Sequence, residues 1–388
     1  MVDYTDLEPF ATPRQREYIT AIKEHGSNRK AASALGVHHS AVSRSMDSLK
    51  KKAARQGYSP NHDMTHPAPD GFHLKGASTL YKDGEPVLQW VKTNIDRERQ
   101  EELFVAFAQE LADDVRGKGH IAPAPKSTEA DLLTLYPLGD PHIGMYSWCE
   151  ETGQDFDLDI ATADLTKAVA RLVESSPKSK IGLILNLGDF WHSDNQDNRT
   201  ARSGNSLDVD TRWAKVLRAG KDALISCIDR AQEKHEKVIV KNLIGNHDDH
   251  SSQFLSLMLD SYYHDNDRVV IDTSPARFWY HQFGCVLFGA THGDTVKHTA
   301  LPEIMAADVP ELWGDTEYRY WHTGHVHHDA SKEFRGCMWE SHRTLAGKDA
   351  WHTEQGYRSG QSLKAITYHK DYGEEERHTV DIKHVRPR

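Results

Sequence analysis

Near the start of the chain, apolar residues recur at helical spacing. "TPRQREYITAIKEHG" offers Thr12 as N-cap, Pro13 at the first helical position and Gly26 as terminator, which predicts a helix over 13–25. "NRKAASALG" predicts a short second helix and "HHSAVSRSMDSLKKKAARQG" a third. "YSPNHDMTHPAPDG" reads as a loop. "FHLKGASTLYKDGEPVLQWVKT" then alternates about a Lys-Asp-Gly-Glu turn and predicts a β-hairpin. "DRERQEELFVAFAQELADDVRG" returns to the helical period, and "KGHIAPAPKSTEAD" reads as a linker.

From about residue 130 the pattern changes to short apolar runs that stop at polar residues. "LLTLYPL" ends at Gly139-Asp140, "IGLILNL" at Gly188-Asp189 and "VIVKNLI" at Gly245-Asn246. "CVLFGA" leads to Thr291-His292-Gly293, and "YRYWHT" to Gly324-His325. Helical segments such as "DLTKAVARLVES" and "WAKVLRAGKDALISCIDRAQEKH" separate the early runs. Strand, polar tip, helix, strand is how an α/β sheet carries a site at one edge.

Composition narrows the class. The 388 residues are 38% hydrophobic and 27% charged, as in a soluble globular protein. No run reaches the ~18 apolar residues of a membrane span. "MVDYTDLEPF" lacks the basic and apolar regions of a signal peptide, so a cytoplasmic location is expected. Four scattered cysteines without a CxxC pair fit reduced thiols. The net charge of −11 conceals an asymmetry. Residues 13–57 carry ten Lys/Arg and three acids, a balance of +7, which leaves −18 elsewhere. A basic module on an acidic body points to local contact with a polyanion.

The polar tips carry the chemistry. Asp140, His142, Asp189, Asn246, His292, His325 and His327 mix hard oxygens with imidazoles, a donor set for Mn²⁺, Fe or Zn²⁺. The ordered series DxH…GD…GNHD…H…GHxH, spanning 140–327, resembles the calcineurin-like metallophosphoesterases. The resemblance implies a sandwich of two mixed sheets flanked by helices around a two-metal centre. It implies one ion on Asp140, His142, Asp189 and His327, and a second on Asp189, Asn246, His292 and His325. Mn²⁺ is the first expectation, with Fe or Zn²⁺ as alternatives. Phosphoester hydrolysis by metal-activated hydroxide would follow, with His247 at the leaving group and Asp248 orienting its ring.

Within that superfamily, Gly188-Asp189-Phe190-Trp191-His192-Ser193 resembles the GD-x-x-H-S segment of Mre11- and SbcD-type nucleases. The resemblance implies that His192 engages the substrate phosphate. Only 61 residues follow His327 and no GxxxxGK[ST] loop occurs, so an SMC-like ATPase partner is not expected. "SDNQDNRTARSGNSLDVDTRW" reads as a long loop in which Arg199 and Arg202 could meet phosphates.

The N-terminal segment "NRKAASALGVHHSAVSRSMDSL" resembles a helix-turn-helix, with Ala32 at the helix crossing, Gly36 in the turn and Val37, Val42 and Met46 as the seam. That places Arg44 at a base edge and Ser40, Ser43, Lys50, Lys51 and Lys52 at phosphates. The pairing of such a module with a metallophosphoesterase domain is similar to proteins encoded by tailed phages and prophages, which implies a bacterial host cytoplasm.

The organisation expected is a small all-α helix-turn-helix domain over 1–60, a hairpin, helix and linker over 61–129, and an α/β metallophosphoesterase domain over 130–388. The function expected is a two-metal DNA nuclease whose partner is DNA and not a membrane. Competing readings are a phosphatase or cyclic-nucleotide phosphodiesterase, and a DNA-binding regulator with a metal-binding scaffold.

Overall fold

The computed structural model describes residues 4–55, 72–82, 85–95, 115–200, 204–348, 353, 356 and 358–386. The expected turn at 83–84, Arg202, and the part of the expected 96–117 helix up to 114 lie outside the described residues. The chain divides into two compact units, Met1–Glu110 and Leu111–Arg388.

The first unit begins with helices α1 (Pro13–His25), α2 (Asn28–Ala34) and α3 (His39–Arg55). Thr12 and Gln15 form a reciprocal capping box at the start of α1, and Gly26 ends it in the left-handed conformation. Ala31, Ala32, Val42, Met46 and Leu49 are buried together, so the apolar seam read from the sequence is the core of this unit. A short 3₁₀ turn over Thr5–Phe10, not anticipated, adds Tyr4 and Leu7 to that core. The expected hairpin is present: β1 (Phe72–Lys82) pairs antiparallel with β2 (Glu85–Ile95), closing at Lys82 opposite Glu85.

The second unit is a four-layered α/β sandwich. A six-stranded sheet has the order β13-β12-β3-β4-β5-β6, and a five-stranded sheet the order β10-β11-β9-β8-β7. The strands of the first are β3 (Glu129–Leu138), β4 (Ser179–Asn186), β5 (Lys237–Asn242), β6 (Val269–Asp272), β12 (Ser362–His369) and β13 (Gly373–Asp381). Those of the second are β7 (Trp279–Phe283), β8 (Val286–Thr291), β9 (Tyr318–Thr323), β10 (Ala330–Phe334) and β11 (Cys337–Ser341). Both sheets are mixed: β3 to β6 run parallel, as do β8, β9 and β11, while the outer pairings are antiparallel.

Two-residue periodicity sorts the side chains between layers. Leu133, Leu135, Leu183, Leu185 and Ile239 meet Val286, Phe288 and Ala290 between the sheets. On alternate positions Tyr136, Leu138, Ile184, Val238 and Val240 face α5 (Leu158–Ser175), α6 (Trp213–Gln232) and α7 (Ser251–Tyr262), numbered after the four-residue α4 (Cys149–Thr152). Leu287 and Trp321 pack outward with residues of α8 (Leu301–Asp308) and α9 (Pro310–Asp315). Strands covered on both faces read as continuous apolar runs, which is why these five were visible in the sequence. A lysine within β5, Lys241, is buried and donates to Asp272 Oδ1 at 2.9 Å and to the Ser274 carbonyl at 2.7 Å. No helix among the described residues is long and apolar enough to cross a membrane.

Candidate metal centre

The C-terminal ends of β3, β4, β5, β8 and β9 all belong to parallel runs, so their polar tips gather at one edge of the sandwich. Asp140, His142, Asp189 and His292 form a buried floor, His327, Asn246 and His247 are half-buried, and His325 faces solvent. Two donor triads result. Asp140, His142 and His327 offer ligand atoms that all lie within 4.8 Å of one another, and so do Asp189, His292 and His325. Asn246 joins the second, its Oδ1 lying 3.1 Å from His292 Nε2. The seven residues expected as ligands are therefore together.

Their backbone carries a signature that the sequence did not show. Six non-glycine residues among those described have positive φ, and five are in this set: Asp140 (44°), His142 (45°), Asp189 (50°), His325 (66°) and His327 (57°). Such conformations cost roughly 1–3 kcal/mol each and persist where the surroundings enforce them, most often at functional sites. Two glycines make the turns possible. A Cβ on Gly245 would fall on the Asp189 carboxylate, and one on Gly324 would lie 2.5 Å from Asp140 Oδ2.

Hydrogen bonds set which ring nitrogen each histidine presents. His292 Nδ1 donates to the Leu187 carbonyl at 2.8 Å, turning Nε2 toward Asp189 Oδ2 at 3.2 Å. His142 Nδ1 meets His192 Nδ1 at 3.2 Å, and its Nε2 lies 3.2 Å from His327 Nε2. Burial, with His247 and His327 beside it, holds the His142 imidazole well below its usual pKa and therefore neutral, the form that ligates a metal. Burial alone would lower His292, but the Asp189 and Asp140 carboxylates and the bond to the Leu187 carbonyl together outweigh it and push the imidazole up to about 10. Two buried carboxylates facing several imidazole nitrogens form a donor set that fits a pair of divalent cations.

One expected role differs from the contacts. Asp248 does not orient the His247 ring. It accepts backbone N–H bonds from Asp189 (3.1 Å), Phe190 (2.8 Å), Trp191 (3.4 Å) and Gly245 (3.0 Å), stapling two tips together. The His247 ring is instead held by Nδ1 donating to the His192 carbonyl at 2.8 Å, which leaves Nε2 outward. His192, expected at the substrate phosphate, is 1% exposed, stacks on His247 at 5.2 Å and bonds His142, and the three rings form a further group of metal-like spacing.

Contacts also bring in residues that sequence reading left out. Thr344 Oγ1 donates to the Asp140 carbonyl at 2.5 Å. Arg277 bridges Asp249, one residue past Asp248, and Asp294, two past His292. Neither carries a local signal, since each lies far in sequence from the tip it holds. A further buried group, His322, Glu340 and His342, has metal-like spacing. Lys364 (2.7 Å) and Arg377 (3.0 Å) already neutralise Glu340, and His322 Nδ1 bonds His342 Nε2 at 3.0 Å, so this is a satisfied polar network.

In the first unit, Arg44, Lys51 and Lys52 are exposed and Ser43 is half-buried. Arg44 folds back on Ser40, donating to its Oγ and carbonyl at 3.2 Å each, and Lys50 sits 5.1 Å over the Tyr4 ring. Arg199 is exposed on the long loop.

No protein-family model and no curated protein matches the chain. Among solved structures it is similar to a conserved uncharacterized protein, a predicted phosphoesterase, from Streptococcus pneumoniae TIGR4. The identity is 8% and the TM-score 0.27, over 65% of this chain and 99% of that one. It is also similar to Vps29 of Entamoeba histolytica in complex with zinc, at 14% identity and a TM-score of 0.27, covering 64% and 99%. A third is phosphopantetheinyl hydrolase of Mycobacterium tuberculosis, at 12% and 0.25, covering 59% and 94%. Likenesses at these identities and TM-scores assign no activity to this chain.

Proposed function

We propose that the second unit is a two-metal phosphodiesterase of the calcineurin-like kind and that the whole chain is a DNA nuclease. The observation that carries the reading is the convergence of seven donors from five strand ends, two triads and the adjoining Asn246, with His247 beside them. Asp140, His142, Asp189 and His327 would hold one ion, and Asp189, Asn246, His292 and His325 the other, with Asp189 shared. Two divalent cations there, Mn²⁺ first and Fe or Zn²⁺ as alternatives, would polarise a phosphodiester and supply an activated water near neutral pH.

The side chains do the rest. Two carboxylates against two divalent ions leave a net positive site, suited to a phosphate anion. His247, fixed through Nδ1, presents Nε2 to hold or deliver a proton at the leaving oxygen. His192 keeps His142 and His247 in register from behind. Asp248 fixes the Asp189 and Gly245 tips through backbone bonds. The +7 balance of residues 13–57 and the exposed Arg44, Lys51 and Lys52 support recruitment to DNA by the helix-turn-helix.

The test compares three substrates with the Mn²⁺-loaded full chain: bis-p-nitrophenyl phosphate, p-nitrophenyl phosphate and a cyclic nucleotide. The reading expects turnover of the diester well above the monoester. Preference for the monoester would mean a phosphatase, and turnover confined to the cyclic nucleotide a signalling phosphodiesterase.

A further inference from the structure

The segment that leaves the first metal tip does not return directly to the core. After His142 it runs along the far end of the long loop: Met145 bridges Val209, and the Tyr146 amide donates to the Asp208 carbonyl at 3.0 Å. Between the two lies a cavity of about 230 Å³ lined by Tyr146, Ser147, Trp148, Glu151, Thr152 and Asp208. Both strands of this rim spring from tips that carry ligands, Asp140 and His142 on one side and Asp189 on the other. Tyr146 is four residues from His142, so their backbones are at most about 14 Å apart.

The lining has an unusual composition. Tyr146 is 43% and Trp148 50% exposed, among the largest exposed apolar side chains described, and neither ring stacks on another aromatic among the described residues. The hydroxyls of Ser147 and Thr152 are committed, to the Lys348 carbonyl at 2.7 Å and to the Trp148 and Gln154 carbonyls at 3.0 and 2.8 Å. Besides the Tyr146 hydroxyl and the Trp148 indole N–H, the charged groups offered to an occupant are the carboxylates of Glu151 and Asp208, both exposed acceptors. Among the described residues no lysine or arginine lines the cavity, and its two carboxylates disfavour a phosphate. Its volume is below the roughly 300–1,000 Å³ that hold drug-sized ligands. A flat, uncharged ring system bearing N–H donors fits on all counts.

We propose that this cavity is a nucleobase subsite: a base flanking the scissile phosphodiester unstacks, lies against Trp148 and Tyr146, and donates from its amino group to Asp208 or Glu151. The assignment rests on the phosphodiesterase reading for its place beside the metal centre. It adds a substrate class, a nucleic acid whose bases near the cut are single-stranded. It also adds a preference: adenine, cytosine and guanine carry an exocyclic amine, whereas thymine carries none. Stacking supplies most of the affinity and tolerates any base, and the carboxylates discriminate.

The test uses the metal-loaded full chain and phosphorothioate-linked tetranucleotides, which resist hydrolysis and are too short to fill a helix-turn-helix site. Binding of single-stranded dC and dT tetramers is followed by fluorescence anisotropy. The two differ in amine against carbonyl at similar ring size. The dC tetramer is expected to bind more tightly, and Trp148→Ala to weaken it roughly fivefold to 150-fold, the worth of one stacked base. Trp148→Phe is expected to restore most of the loss, which a folding defect would not allow. Asp208→Asn with Glu151→Gln is expected to bring dC and dT to equal affinity. Equal binding by wild type and Trp148→Ala would overturn the subsite. So would absence of tetranucleotide binding together with self-association that Trp148→Ala abolishes, which would mark the aromatics as a contact between copies. Binding that behaves as expected in a protein that cleaves no phosphodiester would overturn the nuclease reading and leave the subsite standing.

Discussion

The backbone amide of His325 donates to both carboxylate oxygens of Asp140, at 3.0 and 2.9 Å. Asp140 follows β3 of the six-stranded sheet and His325 follows β9 of the five-stranded sheet. One carboxylate therefore locks the tips of two sheets together, and both residues hold left-handed backbone to do so. The candidate centre is placed by contacts between its own donor residues as much as by either sheet.

Replacing Asp140 separates charge from geometry. Asp140→Asn keeps an oxygen for the His325 amide but removes the negative charge. It should lower bound metal from two ions to one or fewer per chain, read by elemental analysis, with little change in melting temperature. Asp140→Ala removes the acceptor as well and should cost a further ~1 kcal/mol of stability, since the His325 amide then loses its partner in a half-buried setting. Equal melting temperatures for the two variants would contradict the coupling.

Gly245→Ala should disable the site from the backbone. The new Cβ would fall on the Asp189 carboxylate and crowd its amide, displacing the one ligand expected to serve both ions. Metal titration calorimetry should show weakened binding of both ions, not of one. Loss confined to a single site would argue against a shared Asp189.

The candidate ligands were legible as a set because each sits where an apolar run ends, a change visible within a few residues. What was not legible depends on contacts distant in sequence. Asp248 staples two tips through backbone amides at 189, 190, 191 and 245, and no local pattern distinguishes that from orienting His247. β12 lies inside the six-stranded sheet between β13 and β3. Its "SLKAITYH" does not read as a core strand because Lys364 and Thr367 interrupt it. Lys364 is neutralised by Asp329 and Glu340, and Thr367 bonds Thr134 at 3.3 Å. Only the fold supplies those partners.

His235 should make stability depend on pH. Burial lowers its pKa to about 4, with Nε2 accepting from the Tyr136 hydroxyl and Nδ1 donating to the Ser179 carbonyl, each matched to the neutral ring. An unfolded histidine titrates near 6.5. Between these values the unfolded chain binds the extra proton, so stability is full above about pH 6.5 and falls as pH drops toward 4. The loss should approach about 3 kcal/mol. Denaturant midpoints at pH 7 and pH 4.5 should differ less in His235→Gln than in the wild type, and identical pH slopes would exclude the histidine as a cause.

A DNA-binding role for the α2–α3 pair, proposed as a helix-turn-helix, should reveal itself through salt. If Lys51 and Lys52 meet phosphates, each alanine variant should weaken DNA binding on any sequence and reduce the slope of log K against log salt by about 0.9. Lys50 is engaged over the Tyr4 ring, so Lys50→Ala should change the slope less and melting temperature more. Arg44→Ala should relax sequence preference instead, if a preference exists. Uniform effects from all four would mean a diffuse basic face.

The central claim is that the two donor triads and His247 cut DNA. The most direct measurement is cleavage of end-labelled linear DNA and closed circular DNA with Mn²⁺, Mg²⁺ or a chelator, comparing the wild type with His247→Ala. The account predicts metal-dependent fragments from the wild type and their loss in His247→Ala at unchanged metal content. DNA left intact by a protein that binds two metals and hydrolyses bis-p-nitrophenyl phosphate would contradict it, and would make the helix-turn-helix an address for a different substrate.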